Sequence, residues 1–340
     1  MSRRTELRAA AALLLALFLA APLSAQMQVR ETQSMDSWFL AANEAYGRGD
    51  FKEAARLYRL SIQNGQREAF SWFNLGNTLV QLGKTPLAMV AYRRCLELAP
   101  GFSRAWVQLG DLLFFGGEYS EAAGAYTRAL ELDGSDRTHV HAALGEIALR
   151  SGAWTDAQFQ FERALARDPD RAELWFALAE AYEGLQDWDA AIETLKSSLE
   201  RSPSAGAETW FRLGLLHEKT GNLKAMRRAF DEGLALDPGN VAFRIYLARS
   251  WSAEGAPWMA VFTLEEGLSR GADRRDDSDL RLELANTLFA QKRFDEALEQ
   301  YRVLARRGDP LGRAGIENVA GSWWNAGDTV KAGELLKELR

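Results

Sequence analysis

The sequence predicts an all-α solenoid, a tandem series of antiparallel helix pairs stacked side by side. Three observations predict it. Tryptophans stand at 38, 72 and 106, a spacing of 34 both times, and a fixed period of about 20–50 residues is the mark of a repeat array. Carried along the chain, the register puts the tryptophan slot at Trp38, Trp72, Trp106, His141, Trp175, Trp210, Arg244, Arg281 and Ile316. Four residues beyond the slot stands a small residue every time: Ala42, Gly76, Gly110, Gly145, Ala179, Gly214, Ala248, Ala285 and Ala320. Sixteen residues beyond it stand Ala54, Ala88, Ala122, Ala157, Ala191, Met226, Ala260, Ala297 and Ala332. Helices approach closely only where side chains are small, so these two positions mark the crossing points. One pair cannot bury its apolar face alone; stacking on neighbours does that.

The first 25 residues read as a leader. A short basic start holds Arg3, Arg4 and Arg8 against Glu6, Ala9–Ala21 is an apolar run, and Pro22-Leu23-Ser24-Ala25 supplies small residues for cleavage. That order is the architecture of a secretory signal peptide. An uncleaved membrane anchor is the alternative, but the run is shorter than the ~20 residues that span hydrocarbon. Arg3-Arg4 also resembles a twin-arginine signal; Glu6 and the strongly apolar core favour the general secretory route. An exported chain, periplasmic or extracellular and of bacterial character, is expected, followed by a short linker over 26–34.

From residue 35 to 340 about nine copies follow. The Trp72 copy reads Trp72, Leu75, Gly76, Leu79, Gly83, Ala88, Tyr92, Cys95 and Pro100; the Trp106 copy reads Trp106, Leu109, Gly110, Leu113, Gly117, Tyr119, Ala122, Tyr126 and Ala129. The Trp210 copy repeats the pattern with Leu213, Gly214, Gly221, Phe230 and Pro238. These residues resemble the tetratricopeptide-repeat consensus, and the resemblance covers essentially everything after residue 34. Gly49, Gly83, Gly117, Gly152 and Gly221 are placed to end first helices. Ala99-Pro100, Asp168-Pro169 and Asp237-Pro238 separate copies, because the residue before a proline avoids the helical region. Cys95 falls where other copies have Ala129, Ala164 and Ser198, a packing position. One step lengthens to 37, at Gly271–Ser278, a charged turn. At the end of the chain Leu335, Leu336 and Leu339 would leave an apolar face for a partner or a second copy, on a last helix of about Val330 to Arg340.

Charge and motifs narrow the function. The net charge is −6, and the leader's own +2 would leave −8 after its removal; an acidic excess argues against a nucleic-acid partner. His139 and His141, two apart, point different ways on a helix and make no metal pair. No phosphate-cradling or nucleophile-elbow motif is present. Neither catalysis, a cofactor nor a metal is expected. Trp154 and Trp188 open second helices and Trp251 and Trp323 lie within first helices, while Trp258 and Trp324 fit no packing slot.

The resemblance implies a right-handed superhelix whose first helices line a concave groove for an extended or helical peptide. The residues it places there in the early copies are Phe39, Asn43, Tyr46, Phe73, Asn74, Asn77, Arg104, Gln108, Asp111 and Phe114. Asn43, Asn74 and Arg104 match three of the five positions with which some family members clamp a terminal carboxylate; Phe39 and Gln108 fill the other two and remove half its positive charge. Amide contacts to a peptide backbone are the alternative. The middle copies place Glu146, Glu173, Glu180, Glu183, Glu208 and Glu218 on the same inner positions, and summed carboxylate fields would draw in a basic segment. The expected ligand is a protein or peptide with apolar and Lys/Arg-bearing stretches, held by an exported scaffold that assembles an envelope complex. A membrane-anchored subunit of a multiprotein complex, and an accessory that gathers polymer substrates for an enzyme or export machine, are the other readings.

Overall fold

A computed structural model of the chain describes residues 37–65, 68–133, 137–201, 206–270 and 277–339. The leader, the linker and residues 271–276 of the irregular step lie outside these. The described residues form eighteen helices joined by short turns, with no strand among them. They divide into two compact units, one ending at Ser151 and the other beginning at Gly152. The division falls inside the fourth copy, between its two helices.

Unit one holds α1 (37–47), α2 (Phe51–Gln63), α3 (Glu68–Gln81), α4 (Thr85–Leu98), α5 (Ser103–Phe115), α6 (Tyr119–Asp133) and α7 (Thr138–Ser151). Unit two holds α8 (Trp154–Leu165), α9 (Ala172–Gly184), α10 (Trp188–Arg201), α11 (Gly206–Lys219), α12 (Leu223–Leu236) and α13 (Val241–Ala253). It continues with α14 (Pro257–Ser269), α15 (Ser278–Ala290), α16 (Phe294–Arg306), α17 (Pro310–Asn325) and α18 (Thr329–Lys337). Within each unit the two helices of a copy pack together, and each second helix packs on the first helix of the next copy.

The small residues do what the register demands. The alanines sixteen beyond the slot are all wholly buried, and Met226, the one exception in that column, is 1% exposed. A Cβ on Gly76 would come within 2.4 Å of the Tyr92 ring, one on Gly110 within 2.7 Å of Tyr126, and one on Gly214 within 2.1 Å of Phe230. In these copies the ring twenty beyond the slot therefore rests on bare backbone four beyond it. Cys95 is wholly buried, and burial pushes its thiol up to about 11, which keeps it protonated and unreactive.

The turn between the helices of a copy has a fixed backbone requirement eleven residues beyond the slot. Glycines hold a positive φ there in most copies, as at Gly83 (68°) and Gly117 (80°). Gln186 and Lys292 take the same position with φ of 60° and 61°, where a side chain crowds the carbonyl. Several following helices are capped by side chains: Asp50 accepts from the Glu53 amide, Asn222 from Ala225 and Asp328 from Lys331.

The slot itself tolerates more than tryptophan. Trp106 Nε1 donates to the Pro100 carbonyl at 2.9 Å and Trp175 Nε1 to that of Pro169 at 2.7 Å. Arg244, 3% exposed, reproduces this bond by donating from a guanidinium nitrogen to the Pro238 carbonyl at 3.1 Å. His141 is buried in the same position. Trp258 and Trp324, for which the register offers no slot, are 67% and 57% exposed.

Two expectations at the end of the chain need correction. The last helix closes at Lys337 rather than Arg340. Of the three leucines expected to leave a face uncovered, Leu335 is buried, Leu339 packs against the core, and Leu336 is exposed. Helical spacing explains this, because adjacent residues 335 and 336 point to different sides of one helix.

Candidate functional site

Unit one brings the early inner residues together through a bond that recurs at a fixed separation. Tyr58 Oη donates to Asn43 Oδ1 at 2.6 Å, Tyr92 Oη to Asn77 Oδ1 at 2.7 Å, and Tyr126 Oη to Asp111 Oδ1 at 2.8 Å. Each pair is fifteen residues apart, from five to twenty beyond the slot. Burial pushes the Tyr58 hydroxyl up to about 12 and those of Tyr92 and Tyr126 further, so all three remain protonated donors. A hydroxyl that donates fixes the amide it meets: oxygen toward the tyrosine, nitrogen away.

Asn43 Oδ1 also accepts from Asn74 Nδ2 at 3.1 Å, a link from one copy to the next. Asn43 Oδ1 thus accepts two bonds and Asn77 Oδ1 one, and each amide turns its N–H away from the tyrosine. Asn43, Tyr46, Asn74 and Asn77, with Gly47 and Tyr58, line a pocket of about 240 Å³.

Aromatic rings flank the amides. Phe39 meets the Tyr58 ring edge-on at 6.1 Å, and Tyr46 meets Phe51 at 5.3 Å. Phe73 packs on Phe102 at 4.9 Å, and Phe70, 51% exposed, meets the same ring at 5.2 Å. Phe114 lies against Phe115 and Tyr119. Gln108 reaches Asp111 at 3.4 Å, and Arg104 is exposed at the start of α5. Burial raises the Asp111 carboxyl; the Tyr126 hydroxyl, His139 and Arg137 oppose that rise.

In the acidic inner stretch expected in the middle copies, arginines stand between some of the carboxylates. Glu146 lies in unit one and is paired with Arg150 at 2.6 Å. In unit two, Arg212 holds Glu183 at 2.6 Å and Glu180 at 3.7 Å, and its guanidinium lies over the Phe176 ring at 5.1 Å. Glu218 lies in the field of Arg249, which forms a two-pronged pair with Glu283 at 2.9 and 2.8 Å. Glu173 and Glu208 are exposed at helix starts, where the helix dipole favours a negative charge. Arg212 and Arg249, which the sequence reading did not single out, offset part of this charge, and the stretch keeps a negative excess because Arg212 is shared by two carboxylates and Arg249 also pairs with Glu283.

The tyrosines were also missed, although a signal was available. Tyrosine stands twenty beyond the slot in the copies with Asn or Asp five beyond it: Asn43/Tyr58, Asn77/Tyr92, Asp111/Tyr126 and Asn286/Tyr301. The fourth pair is bonded in the same way at 2.7 Å. Copies with Glu, Leu, Arg or Gly five beyond the slot carry Phe or Leu instead.

Comparison with known proteins agrees with the repeat fold. A family model described as the C-terminal domain of cilia and flagella-associated protein 70, a tetratricopeptide-repeat domain, matches residues 101–320, and the tetratricopeptide-repeat model itself matches residues 69–102. The chain belongs to the tetratricopeptide-repeat family.

Among curated relatives of this tetratricopeptide-repeat protein, the Hsp70-Hsp90 organizing protein of Triticum aestivum is 29% identical over 115 residues, 34% of this chain and 20% of that protein. Cellulose synthase 1 operon protein C of Komagataeibacter xylinus is 23% identical over 212 residues, 58% of this chain and 16% of that protein. The chain therefore spans a fifth or less of either. A TPR repeat-containing protein of Pseudomonas aeruginosa is 35% identical over 74 residues, 22% of this chain and 70% of its own length. Among solved structures, the C-terminal part of a TPR repeat-containing protein from Cytophaga hutchinsonii aligns with a TM-score of 0.51 at 14% identity, covering 76% of this chain and 98% of that one. YrrB, a TPR protein with an unusual peptide-binding site, aligns with a TM-score of 0.50 at 17% identity, covering 59% and 99%. At these identities the likeness is one of fold. No helix among the described residues is long and apolar enough to cross a membrane, and none of them form a His/Cys/Asp/Glu group able to hold a metal ion.

Proposed function

We propose that this tetratricopeptide-repeat scaffold is exported and takes an extended segment of a partner protein along the inner face of unit one. The observation that carries the reading is the orientation of Asn43 and Asn77: with both oxygens held by tyrosine hydroxyls, the amides present N–H donors suited to backbone carbonyls of a visiting strand. Phe39, Phe70 and Phe73 beside them suit its apolar side chains. A peptide amide buried without such a partner costs about 1–3 kcal/mol, so donors set at fixed spacing reward a segment that matches them. The terminal-carboxylate clamp is disfavoured, since Phe39 and Gln108 stand where the family carries positive charge. Arg212 and Arg249 offset part of the unit-two carboxylate charge, and the remaining negative excess still favours Lys/Arg-bearing stretches in the partner.

Export rests on the order of basic start, apolar run and small residues in the first 25 positions. The mass of the native amino terminus tests it: loss of 25 residues supports release outside the membrane, and an intact leader supports the anchored subunit. Site-specific photocrosslinking in native cells tests the site. A crosslinker at Asn77 is expected to capture a protein that one at Arg94, on the exposed side of α4, does not; equal capture from both positions counts against the inner face. The likeness to cellulose synthase 1 operon protein C supports a second reading, an accessory that gathers polymer. Recovery of polysaccharide without protein would favour it.

A further inference from the structure

A second surface lies on the second helices of unit two. Positions fourteen and eighteen beyond the slot are exposed on successive second helices. In unit two they read Lys224 and Arg228 on α12, Trp258 and Phe262 on α14, and Asp295 and Glu299 on α16. Trp258 is 67% exposed and Phe262 60%. They lie four apart, on one side of one helix. In the series of second helices an aromatic one thus stands between one with Lys224 and Arg228 and one with Asp295 and Glu299, all at the same register positions.

We propose that this strip is a self-association surface whose occupant is the same strip of a second copy of the chain. A half-turn about an axis along α14 sets the aromatic pair of one copy on that of the other. The same half-turn exchanges the two flanks, so that basic α12 of each copy meets acidic α16 of its partner. The contact is isologous and closes as a dimer. A half-turn about the perpendicular in-plane axis would instead set like charge on like, so the flanks also select the orientation. A foreign partner would need to bring acidic, aromatic and basic faces in reverse order, which this chain already does. Three helix faces about 20 Å long and about 30 Å wide together cover about 600 Å² per copy. That sits at the low end of specific interfaces and fits a reversible dimer rather than an obligate one. Asp295 already holds Lys331 at 3.2 Å, which leaves Glu299 as the principal partner for Arg228. This surface is independent of the peptide site in unit one.

Sedimentation velocity of the full chain over a concentration series at low salt tests the proposal. A monomer–dimer equilibrium with a dissociation constant on the order of micromolar is expected, weakening as salt is added. Trp258→Ala with Phe262→Ala is expected to weaken it at least about tenfold. Arg228→Glu alone and Glu299→Arg alone each weaken it; the two swaps in one chain restore it, which a folding defect would not do. A monomer at every concentration up to about 1 mM, a dimer indifferent to the aromatic double variant, or a double swap that fails to restore association each overturns the proposal.

Discussion

The Tyr126 hydroxyl donates to Asp111 Oδ1 at 2.8 Å across the two helices of the third copy, where its sister copies use asparagine for the same bond. The substitution has a thermodynamic consequence. Burial raises the Asp111 carboxyl from its ordinary value, so the folded state binds that proton more tightly than the unfolded one. The associated stability is present below the unfolded pKa and is lost as pH rises through the folded value. Asp111→Asn, which keeps an acceptor for Tyr126, is expected to raise the melting temperature at pH 7. The advantage should shrink as pH falls into the carboxylate range, and thermal melts of both chains between pH 4 and pH 7 check it.

Tyr92→Phe removes the donor that sets the Asn77 amide and leaves its oxygen without that partner. A net loss of about 0.5–1.5 kcal/mol in unfolding free energy is expected, read by urea titration. Freed to turn, the amide should also lose its fixed N–H, so crosslinking from this face falls although Tyr92 itself contacts no partner. Unchanged capture would show that the amide needs no such setting.

Two glycines to which the same substitution brings opposite outcomes separate packing from propensity. Gly76→Ala drives a Cβ into the Tyr92 ring and is expected to cost about 1–3 kcal/mol through overpacking. Gly124, inside α6, has nothing within 4 Å of an added Cβ, and Gly124→Ala should gain about 0.5–1 kcal/mol from helix propensity. Denaturation midpoints of the two variants are expected to move in opposite directions.

Lys292 holds φ of 61° in a turn position that glycine fills in most copies. Lys292→Gly relieves a strain of about 1–2 kcal/mol and gives part of it back through the freer unfolded chain. A net gain of about 0.5–1 kcal/mol is expected by chemical denaturation, and Gln186→Gly should behave alike.

Much of this was open to sequence reasoning because close helix crossings admit few residues. The column from Ala54 to Ala332 and the small residues from Ala42 to Ala320 declare the helix pairs without reference to any fold. The slot was legible even through its exceptions, since Arg244 and His141 are buried where tryptophan would be. Four of the six residues lining the unit-one pocket, Asn43, Tyr46, Asn74 and Asn77, were named beforehand from the family resemblance. The tyrosines that orient the amides were not, although they stand in the sequence in step with Asn and Asp.

The arginines that offset part of the acidic inner face were not legible, for a different reason. Glu180 and Arg212 are 32 residues apart, and nothing in their order says that a guanidinium on the next copy reaches back to the carboxylate. Periodicity determined by itself that this chain is a tandem array of helix pairs, because backbone approach is a steric matter and every copy must meet it alike. Which charges cancel, which amide nitrogens stay presented and which tryptophans meet water depended on side-chain reach between copies. Only the tertiary structure decided those, since reach is set by distance in space and not along the chain.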